Sequence, residues 1–310
     1  MQTTTLGRTG LTVSTMGIGG GGHSQLGKRT GKTEAESIAI IHRAFDSGVT
    51  FIDTAEGYGT EPMIGKALKT RDRSAVVIST KKSTRHKEVT DQTVTESLHN
   101  SLRNLGTDYI DIYSLHGVMP EDYAHLASDI YPLLKRFQEQ GKIRFIGITE
   151  MFNEDTDHHM LQMAVKDDLW DVLMVGFNIL NQSARETVFS KTIATNVGVQ
   201  IMFAVRKAFS QPDYLRDCVA GLMETGQLDP GDFDDPRAPL DFLLKHATSL
   251  TEAAYRFSRD EPGTHVILSG TGNPHHLQEN LAAFDRPPLP EAVTHRLRHM
   301  FRRVDSITGQ

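Results

Sequence analysis

Four ionisable side chains stand at or just after the ends of predicted strands, where they could take part in one proton transfer. Asp53 ends the apolar strand TFIDT, and Tyr58 follows in a short loop bounded by glycines. Lys81 ends the segment AVVISTK, and His116 ends DYIDIYSLH. Because the carboxyl ends of parallel strands meet at one edge of a sheet or barrel, these residues predict a single catalytic site.

These four residue types would make a proton donor with an adjusted pKa. A free tyrosine has a pKa of about 10 and is a weak acid at neutral pH. An ammonium group beside Tyr58 would favour the phenolate and lower the pKa of the phenol, while a carboxylate would keep Lys81 charged. His116 could orient a substrate carbonyl or share the proton. Since the sequence offers no evident nucleophile or metal cluster, a hydride carrier would complete such a reaction.

Eight short apolar segments alternate with helical patterns and predict the scaffold that would position these residues. The predicted strands are residues 16–20, 50–54, 76–80, 109–115, 144–149, 172–178, 199–205 and 265–270. Thr33 with Glu36 predicts a capped helix that ends before Gly48, and Thr90 to Leu105 predicts a second helix. Further helices are predicted near residues 128–140, 155–167, 184–197, 248–260 and 274–283.

The order of these elements predicts a (β/α)8 TIM barrel that forms a single domain over residues 1–310. Near-continuous apolar strands indicate a parallel sheet buried on both faces. Eight strands with intervening helices fit a barrel of about this length. A doubly wound sheet is the main alternative. Its catalytic residues usually lie at one point where the strand order reverses, whereas the candidate catalytic residues of this chain lie at several strand ends.

Two segments lie outside the repeat. Thr3 to Val13, with Gly7 and Gly10 at its turn, predicts an amino-terminal β-hairpin that plugs the barrel floor. Gln211 to Leu240 is rich in Asp, Gly and Pro and follows the seventh strand. We expect a long irregular loop there that acts as a functional lid.

Composition and charge restrict the class of protein. The chain has 310 residues, 38% hydrophobic and 23% charged, with a net charge of −6 and a single cysteine, Cys218. No apolar run approaches the roughly 20 residues that span a bilayer, and the amino terminus lacks signal-peptide features. The acidic balance disfavours nucleic acid or an anionic membrane as partner. These features predict a cytoplasmic enzyme that binds small molecules, with its oligomeric state left open.

Two weaker motifs are explained without a dinucleotide-binding fold or a metal site. Gly17, Gly19 and Gly22 formally match GxGxxG, but a polar loop follows them instead of a helix. Gly19 is better explained as a strand end where a ligand approaches the backbone closely. His295 and His299 are four residues apart on a predicted carboxyl-terminal helix. Without carboxylates or cysteines at metal-site spacing, we predict no native metal site.

The chain resembles the aldo-keto reductase family from about Leu6 to Asn280. The most specific segments are FIDTAEGYG, ISTK, YSLH and SGTGNPHHLQEN. The resemblance implies that a nicotinamide dinucleotide lies extended across the carboxyl end of the barrel. It also implies hydride transfer between that dinucleotide and an aldehyde, a ketone or a sugar carbonyl or lactol.

The resemblance assigns a role to each of the four ionisable residues. Tyr58 would be the general acid or base, with Asp53, Lys81 and His116 completing the catalytic tetrad. A pairing of Asp53 with Lys81 is implied in the same way. Lys81 is chosen over Lys82 because the family lysine directly follows the threonine of the strand.

At the nicotinamide end the chain departs from the family pattern. Thr149 and Glu150 stand where Ser-Asn often grips the carboxamide, and Met174 replaces a usual Gln. Thr149 can keep one hydrogen bond, whereas Glu150 cannot donate an amide proton. The aromatic ring that stacks on the nicotinamide would be Phe177.

The loop after the seventh strand carries Arg206 and Lys207 in place of the familiar Ser-Pro-Leu. We expect these cations to bind the pyrophosphate through charge-assisted hydrogen bonds. A solvated basic turn is the alternative.

At the adenosine end the chain matches the family in part. The residues expected there are Gly270, Thr271, Gly272, Asn273, His276, Glu279 and Asn280. They open a predicted helix, and a helix amino terminus is suited to a phosphate. The family favours NADP, whereas Gly272 and Asn273 lack the usual cation for a 2′-phosphate, which favours NAD.

The substrate and two alternative functions remain open. Loops 117–127, 151–155 and 208–242 would line the substrate pocket. They suit a hydroxyl-rich aldose or lactol, oxidised with NAD, or a hydrophobic carbonyl bound through Met119, Tyr123, Trp170 and Phe177. One alternative is a Schiff-base aldolase that uses Lys81 as nucleophile. The other is a cofactor-binding, redox-sensing subunit with slow turnover.

Overall fold

The computed structural model describes residues 1–85 and 88–310, and a closed barrel of eight parallel strands forms its centre. An antiparallel hairpin, β1 (Thr3–Thr5) and β2 (Thr12–Ser14), precedes the barrel. The barrel strands are β3 (Met16–Gly19), β4 (Phe51–Asp53), β5 (Val77–Ser83), β6 (Ile110–Val118), β7 (Ile143–Glu150), β8 (Val172–Gly176), β9 (Gly198–Met202) and β10 (Val266–Ser269). They follow one another around the barrel, and β10 closes it by pairing with β3. The predicted TIM barrel is confirmed.

Helices surround the barrel. They are α1 (Glu34–Asp46), α2 (Glu61–Leu68), α3 (Asp91–Leu105), α4 (Pro120–His125), α5 (Tyr131–Glu139), α6 (His159–Asp167), α7 (Ser190–Thr195), α8 (Pro212–Glu224), α9 (Leu250–Arg259), α10 (Pro274–Asp285) and α11 (Glu291–Met300). The predicted capping box of α1 is present, because Thr33 and Glu36 each bind the other's backbone N–H. Gly106 ends α3 with a φ of 63°, a left-handed conformation that favours glycine. Among the described helices, none is long and apolar enough to cross a membrane.

The hairpin closes the amino-terminal end of the barrel, which we call the floor. Leu6, Leu11 and Val13 form one apolar cluster with inward-facing strand residues such as Phe51 and Ile112. These side chains fill the floor, and ligands of such barrels bind at the opposite, carboxyl-terminal end, which we call the mouth. The predicted position of the hairpin is confirmed.

The segment Gln211 to Leu240 is only partly the irregular loop that we predicted. Its first half forms the 13-residue helix α8, which begins at Pro212. Leu215, Val219 and Leu222 are buried on one face of α8, at helical spacing. Composition obscured this helix, because α8 itself contains Pro212, Asp213, Asp217 and Gly221, and proline is well tolerated in a first helical turn.

Candidate active site

The structure brings Asp53, Tyr58, Lys81 and His116 together at the mouth. Asp53 ends β4 and pairs in register with Ser79 of β5, while Lys81 lies further along that strand. His116 lies near the end of β6, and Tyr58 occupies the loop after β4. The Tyr58 hydroxyl lies 3.2 Å from His116 Nε2, and Lys81 Nζ lies 2.5 Å from Asp53 Oδ1.

Asp53 and Lys81 form a buried ion pair beneath the phenol. Their exposed fractions are 3% and 0%. The Ser79 hydroxyl donates to Asp53 Oδ1 over 2.8 Å, and Lys81 Nζ donates to the Thr54 carbonyl over 2.7 Å. Burial raises the pKa of Asp53 and lowers that of Lys81, and their mutual attraction opposes both shifts. The pair also joins β5 to the start of the Tyr58 loop.

The pKa of Tyr58 shifts in the direction opposite to our prediction. Burial, followed by the nearby charge of Asp53, raises the pKa of this phenol. Lys81 Nζ lies 5.8 Å from the centroid of the Tyr58 ring and donates its hydrogen bonds to Asp53 and Thr54. The ammonium therefore acts on the phenol through its charge, without a hydrogen bond to the hydroxyl in the described part of the chain. Tyr58 is a protonated phenol at neutral pH.

His116 is a neutral imidazole at neutral pH. Burial, followed by the charge of Lys81, lowers the pKa of His116 to about 3. Its ring is perpendicular to that of Tyr58, with 5.5 Å between centroids. A neutral ring can accept a hydrogen bond from the phenol or donate one to it, depending on its tautomer. When Nε2 carries the imidazole proton and donates it to the phenol oxygen, the Tyr58 hydroxyl proton is free to be donated to a ligand.

Thr149 and Glu150 lie at the end of β7 but face different surroundings. The Thr149 hydroxyl accepts a hydrogen bond of 2.8 Å from the Gly117 N–H, next to His116. The Glu150 carboxylate is buried between His158 Nδ1, at 2.8 Å, and the Gly176 N–H, at 2.7 Å. The prediction that Glu150 lies at the carboxamide is therefore corrected, because its side chain binds the wall of the barrel instead.

Phe177 does not reach the mouth, which corrects another prediction. Its side chain is 0% exposed, and its ring packs against Phe189 and Phe257 in the layer between strands and helices. Phe203, directly after β9, is a partly exposed aromatic residue at the mouth. Its φ of 64° is unusual for a residue with a large side chain. The guanidinium of Arg206 lies 3.7 Å from the centroid of its ring.

Arg206 is more enclosed than a solvated basic turn would allow. It is 9% exposed, and burial lowers its pKa to about 10. Its Nη2 donates to Asn153 Oδ1 over 2.8 Å and to the Thr308 hydroxyl over 3.3 Å. Its buried Nε has no hydrogen-bond partner within residues 1–85 and 88–310. Lys207 Nζ lies 3.9 Å from the centroid of the Tyr214 ring.

The predicted glycines form closely packed backbone. A Cβ added to Gly270 would lie 2.9 Å from the Gly19 carbonyl oxygen, so the ends of β3 and β10 meet without side chains between them. A Cβ added to Gly272 would lie 2.3 Å from the Cα of Gly27. The loop after β3 therefore lies directly against the loop after β10.

Of the residues predicted to bind the adenosine end, near the start of α10, some are exposed and others are buried. Asn273 caps the helix, because its side-chain oxygen accepts from the His275 N–H. His276 and Glu279 are exposed to solvent. Thr271 and Asn280 are buried, and Asn280 Nδ2 donates to the Ser269 hydroxyl over 2.9 Å. The exposed residues of this group surround a helix amino terminus that is open to solvent.

Two contacts of the site were missed in the sequence. Ser79 binds Asp53, and the Tyr58 ring lies so close to Gly21 that an added Cβ there would be 2.4 Å from it. The run of glycines from Gly19 to Gly22 did indicate a close approach to backbone, but we assigned it to a ligand. A serine two residues before Lys81 carried no distinguishing signal.

A cleft of about 350 Å³ opens between the loops after β6 and β7 and the carboxyl-terminal segment. Its lining residues are Met119, Pro120, Glu121, Glu154, Asp155, Thr156, Asp157, His159, Asp305 and Ser306. It lies in two of the loops that we predicted to line a substrate pocket. Tyr123 and Trp170 do not contribute, because both are buried and the Trp170 Nε1–H donates to the Tyr123 hydroxyl.

One group of side chains in this cleft has donor atoms close enough for a metal ion. Asp155, Asp157 and His159 place one ligand atom each within 4.8 Å of one another. Both carboxylate oxygens of Asp155 already accept N–H groups at the start of α6, from His159 and Met160. We therefore describe this group as a helix cap with two neighbouring polar residues.

Comparison with known proteins decides the family. The model of the "Aldo/keto reductase family" matches residues 15–301. The chain belongs to this family, whose chemistry is carbonyl oxidoreduction.

Individual relatives agree with this assignment. The chain is 38% identical to L-galactose dehydrogenase of Arabidopsis thaliana over 153 residues, which span 46% of this chain and 47% of that protein. It is 25% identical to the NADH-specific methylglyoxal reductase of Escherichia coli over 316 residues, 92% of this chain and 94% of that one. A holo aldo-keto reductase of Bacillus halodurans shares the fold, with a TM-score of 0.74, 22% identity, and coverage of 97% and 96%.

Proposed function

We propose that this aldo-keto reductase transfers a hydride between a nicotinamide dinucleotide and an aldehyde, a ketone or a sugar carbonyl or lactol. The observation that carries the proposal is the 3.2 Å contact between the Tyr58 hydroxyl and His116 Nε2, above the buried pair of Asp53 and Lys81. This arrangement supplies a proton donor without a nucleophile, which matches the reduction of a carbonyl group.

Each side chain has one part in the proposed proton transfer. In the reducing direction Tyr58 donates its hydroxyl proton to the carbonyl oxygen, while neutral His116 orients that oxygen. Asp53 holds Lys81, and the positive charge of Lys81 below the ring stabilises the phenolate as it forms. The raised pKa of Tyr58 keeps the proton in place until the substrate is bound. In the oxidising direction the same phenolate would remove the hydroxyl proton of the substrate.

The residues of the mouth fit a dinucleotide. When bound, it supplies or accepts the hydride. The buried, unpartnered Nε of Arg206 and the ammonium of Lys207 offer donors for a pyrophosphate. Gly19 leaves space beside the backbone at the end of β3, and Gly270 and Gly272 let the loops after β3 and β10 pack directly on each other. Thr271, Asn273 and Asn280 surround the start of α10. Because Thr149 binds the Gly117 N–H next to His116, we expect it to contact the nicotinamide end of the dinucleotide.

The remaining exposed residues at α10, His276 and Glu279, would contact the adenosine end. NADP is our first candidate, because the family favours it, and NAD is its competitor. Gly272 provides no cation for a 2′-phosphate, and the methylglyoxal reductase of Escherichia coli is named as NADH-specific. For the substrate, the similarity to the L-galactose dehydrogenase of Arabidopsis thaliana favours a hydroxyl-rich sugar carbonyl or lactol over an apolar carbonyl compound.

Calorimetric titration of the purified protein with NADPH and with NADH tests the proposal. We expect binding of at least one dinucleotide, and oxidation of the reduced form when an aldose or a small dicarbonyl compound is added. Failure of both dinucleotides to bind would refute the proposal. A substrate imine trapped at Lys81 by borohydride would then support the aldolase alternative. Tight binding with very slow turnover on every carbonyl compound would favour the redox-sensing alternative.

A further inference from the structure

Two adjacent lysines at the end of β5 each bind a carboxylate from the segment that leads to Tyr58. Lys81 Nζ lies 2.5 Å from Asp53 Oδ1, and Lys82 Nζ lies 3.1 Å from Glu56 Oε1. Because successive strand residues face opposite sides of a sheet, the first pair lies inside the barrel and the second lies behind its wall. The second pair has no part in the proton transfer proposed above.

The Glu56 carboxylate connects three elements. Besides Lys82, it accepts the Ser83 N–H of β5 over 3.0 Å and a hydrogen bond from Ser97 of α3. Burial alone would raise the pKa of Glu56, but the bonds from Ser97 and Lys82 outweigh it and lower that pKa. The Glu56 N–H also donates to the Lys81 carbonyl over 3.1 Å. A charged Glu56 therefore fixes the loop backbone against β5 just before Tyr58.

The backbone on both sides of Tyr58 consists of glycine. Gly57 and Gly59 flank it, and Gly59 has a φ of +65°. Glycine loses more conformational freedom than other residues when it becomes ordered, so this loop needs contacts that fix it. The ring of Tyr58 rests on the backbone of Gly21, and after Tyr58 the Lys28 ammonium donates to the Gly59 carbonyl over 3.1 Å. Glu56 is the charged side chain nearest in sequence that anchors the loop on the other side.

Resting on the proposed function, we propose that Glu56 is a positioning residue for the proton donor. Its ion pair with Lys82 holds the loop so that the Tyr58 hydroxyl stays within hydrogen-bonding distance of His116. Glu56 is bound to β5 and α3 behind the barrel wall, and it acts through the backbone of residues 56–58. A displacement of about 1 Å at such a group can lower turnover about a hundredfold.

The test compares Glu56→Gln with the double variant Glu56→Gln/Lys82→Met, which keeps the net charge of the wild type. We expect both to lower kcat for carbonyl reduction about 10- to 100-fold. The Kd of the dinucleotide should change by less than about twofold, since Glu56 lies behind the wall. Lys82→Arg keeps the ion pair and should behave like the wild type.

A second measurement tests the role of Glu56 without depending on catalytic turnover. The ionisation of Tyr58 is followed by alkaline absorbance titration, as the difference between each protein and its Tyr58→Phe counterpart. Burial raises the pKa of Tyr58 in the structure, so release of the loop should move this pKa down toward about 10. Loss of overall stability alone would leave it unchanged in the folded variants. The shift should appear in both Glu56 variants. Since the double variant has the net charge of the wild type, a shift in that variant cannot come from a change in net charge.

A matched control and two outcomes complete the test. Glu34→Gln removes an exposed ion pair with Lys66 and should change neither kcat nor the phenol titration. An unshifted Tyr58 pKa in folded Glu56→Gln overturns the inference, whatever the turnover. If that variant does not fold, the same titration of Lys82→Met decides. A wild-type protein without turnover would instead refute the proposed function, and the titration would still decide the role of Glu56.

Discussion

Burial sets the protonation state of the residues at the mouth of this barrel. Tyr58 and His116 are both driven to their neutral forms, Tyr58 by a raised pKa and His116 by a lowered one. A neutral phenol next to a neutral imidazole can pass a proton to a ligand without first exchanging it with water. The charged groups, Asp53 and Lys81, lie below this pair and bind each other.

The first prediction concerns the hydroxyl of Tyr58. Tyr58→Phe removes the proposed proton donor and keeps the ring that packs on Gly21. We expect kcat for carbonyl reduction to fall roughly 100- to 10,000-fold, the usual contribution of general acid catalysis. The Kd of the dinucleotide should be unchanged in calorimetric titration. Turnover close to that of the wild type would contradict the assignment.

The second prediction concerns His116 and acid stability. The unfolded chain binds a proton at this residue with a pKa of about 6.5, and the folded protein with a pKa of about 3. Between these values the unfolded state binds more protons, so stability falls as pH falls from about 6.5 towards about 3. Near pH 5 the loss relative to neutral pH is about 2 kcal/mol.

Urea unfolding at several pH values measures this loss. His116→Gln should remove this part of the pH dependence of the free energy of unfolding. His125→Gln is the control, because Asp129 raises the pKa of the exposed His125 and gives the opposite sign. Equal slopes in the wild type and His116→Gln would show that His116 is not held neutral.

For single residues, the sequence predicted which residues form the site better than it predicted the direction in which their side chains point. The four ionisable residues come together as their positions at strand ends required. Phe177 and Glu150 were misplaced, because each could face either the mouth or the helical layer and only the alternation of the strand decides which. The pKa of Tyr58 was predicted in the wrong direction, since burial of the phenol depends on loops that no local pattern reveals.

The loop after β9 carries two cations at the mouth. Arg206 binds Asn153 from the loop after β7 and Thr308 from the carboxyl-terminal segment, so three segments meet on one side chain. Lys207 remains partly exposed beside them. Arg206 Nη2 is therefore engaged within the protein, whereas Lys207 is the more exposed of the two cations.

The third prediction follows from this difference. Lys207→Met should raise the Kd of the dinucleotide about tenfold, equivalent to about 1.4 kcal/mol, because one charge-assisted contact to the pyrophosphate is lost. The salt dependence of binding should become weaker at the same time. Lys245→Met, at an exposed lysine further along the chain, is the matched control. Equal Kd values for all three proteins, measured by calorimetry, would place the pyrophosphate elsewhere.

Most elements could be predicted because their patterns are local. The eight strands are short, apolar and bounded by helical periodicity, and each predicted strand overlaps an observed one. Helix α8 was missed because its Asp-rich, Pro-rich surroundings resemble a loop, although Leu215, Val219 and Leu222 already had helical spacing. The loop after β3 packs on the loop after β10 through residues that are far apart in sequence. The spacing of residues within either loop does not predict this contact.

The whole molecule depends on a sealed floor beneath the mouth. Leu6 of the hairpin is fully buried among inward-facing strand residues, including Val172 and Val266. Because strand ends at the floor contact one another through these side chains, the hairpin supports the geometry of the strands that contribute them. A weakened floor should therefore lower overall stability while leaving the residues of the mouth in place.

The fourth prediction tests the floor. Leu6→Ala should lower the free energy of unfolding by about 2 to 5 kcal/mol, through lost burial and the cavity left behind. Leu244→Ala, at a leucine that is 49% exposed, should change it by less than about 0.5 kcal/mol. Urea unfolding followed by circular dichroism measures both. A small effect of Leu6→Ala would mean that the hairpin is not part of the cooperative core.

The close approach of Gly27 and Gly272 limits how this enzyme could be redesigned. A direct way to strengthen NADP binding would be to install arginine at position 272, but a Cβ there would lie 2.3 Å from the Gly27 Cα. The obstacle is main chain, which cannot rotate aside as a side chain can. Engineering of coenzyme preference must therefore begin from exposed positions around this contact, such as Asn273 and His276, or must remodel both loops together.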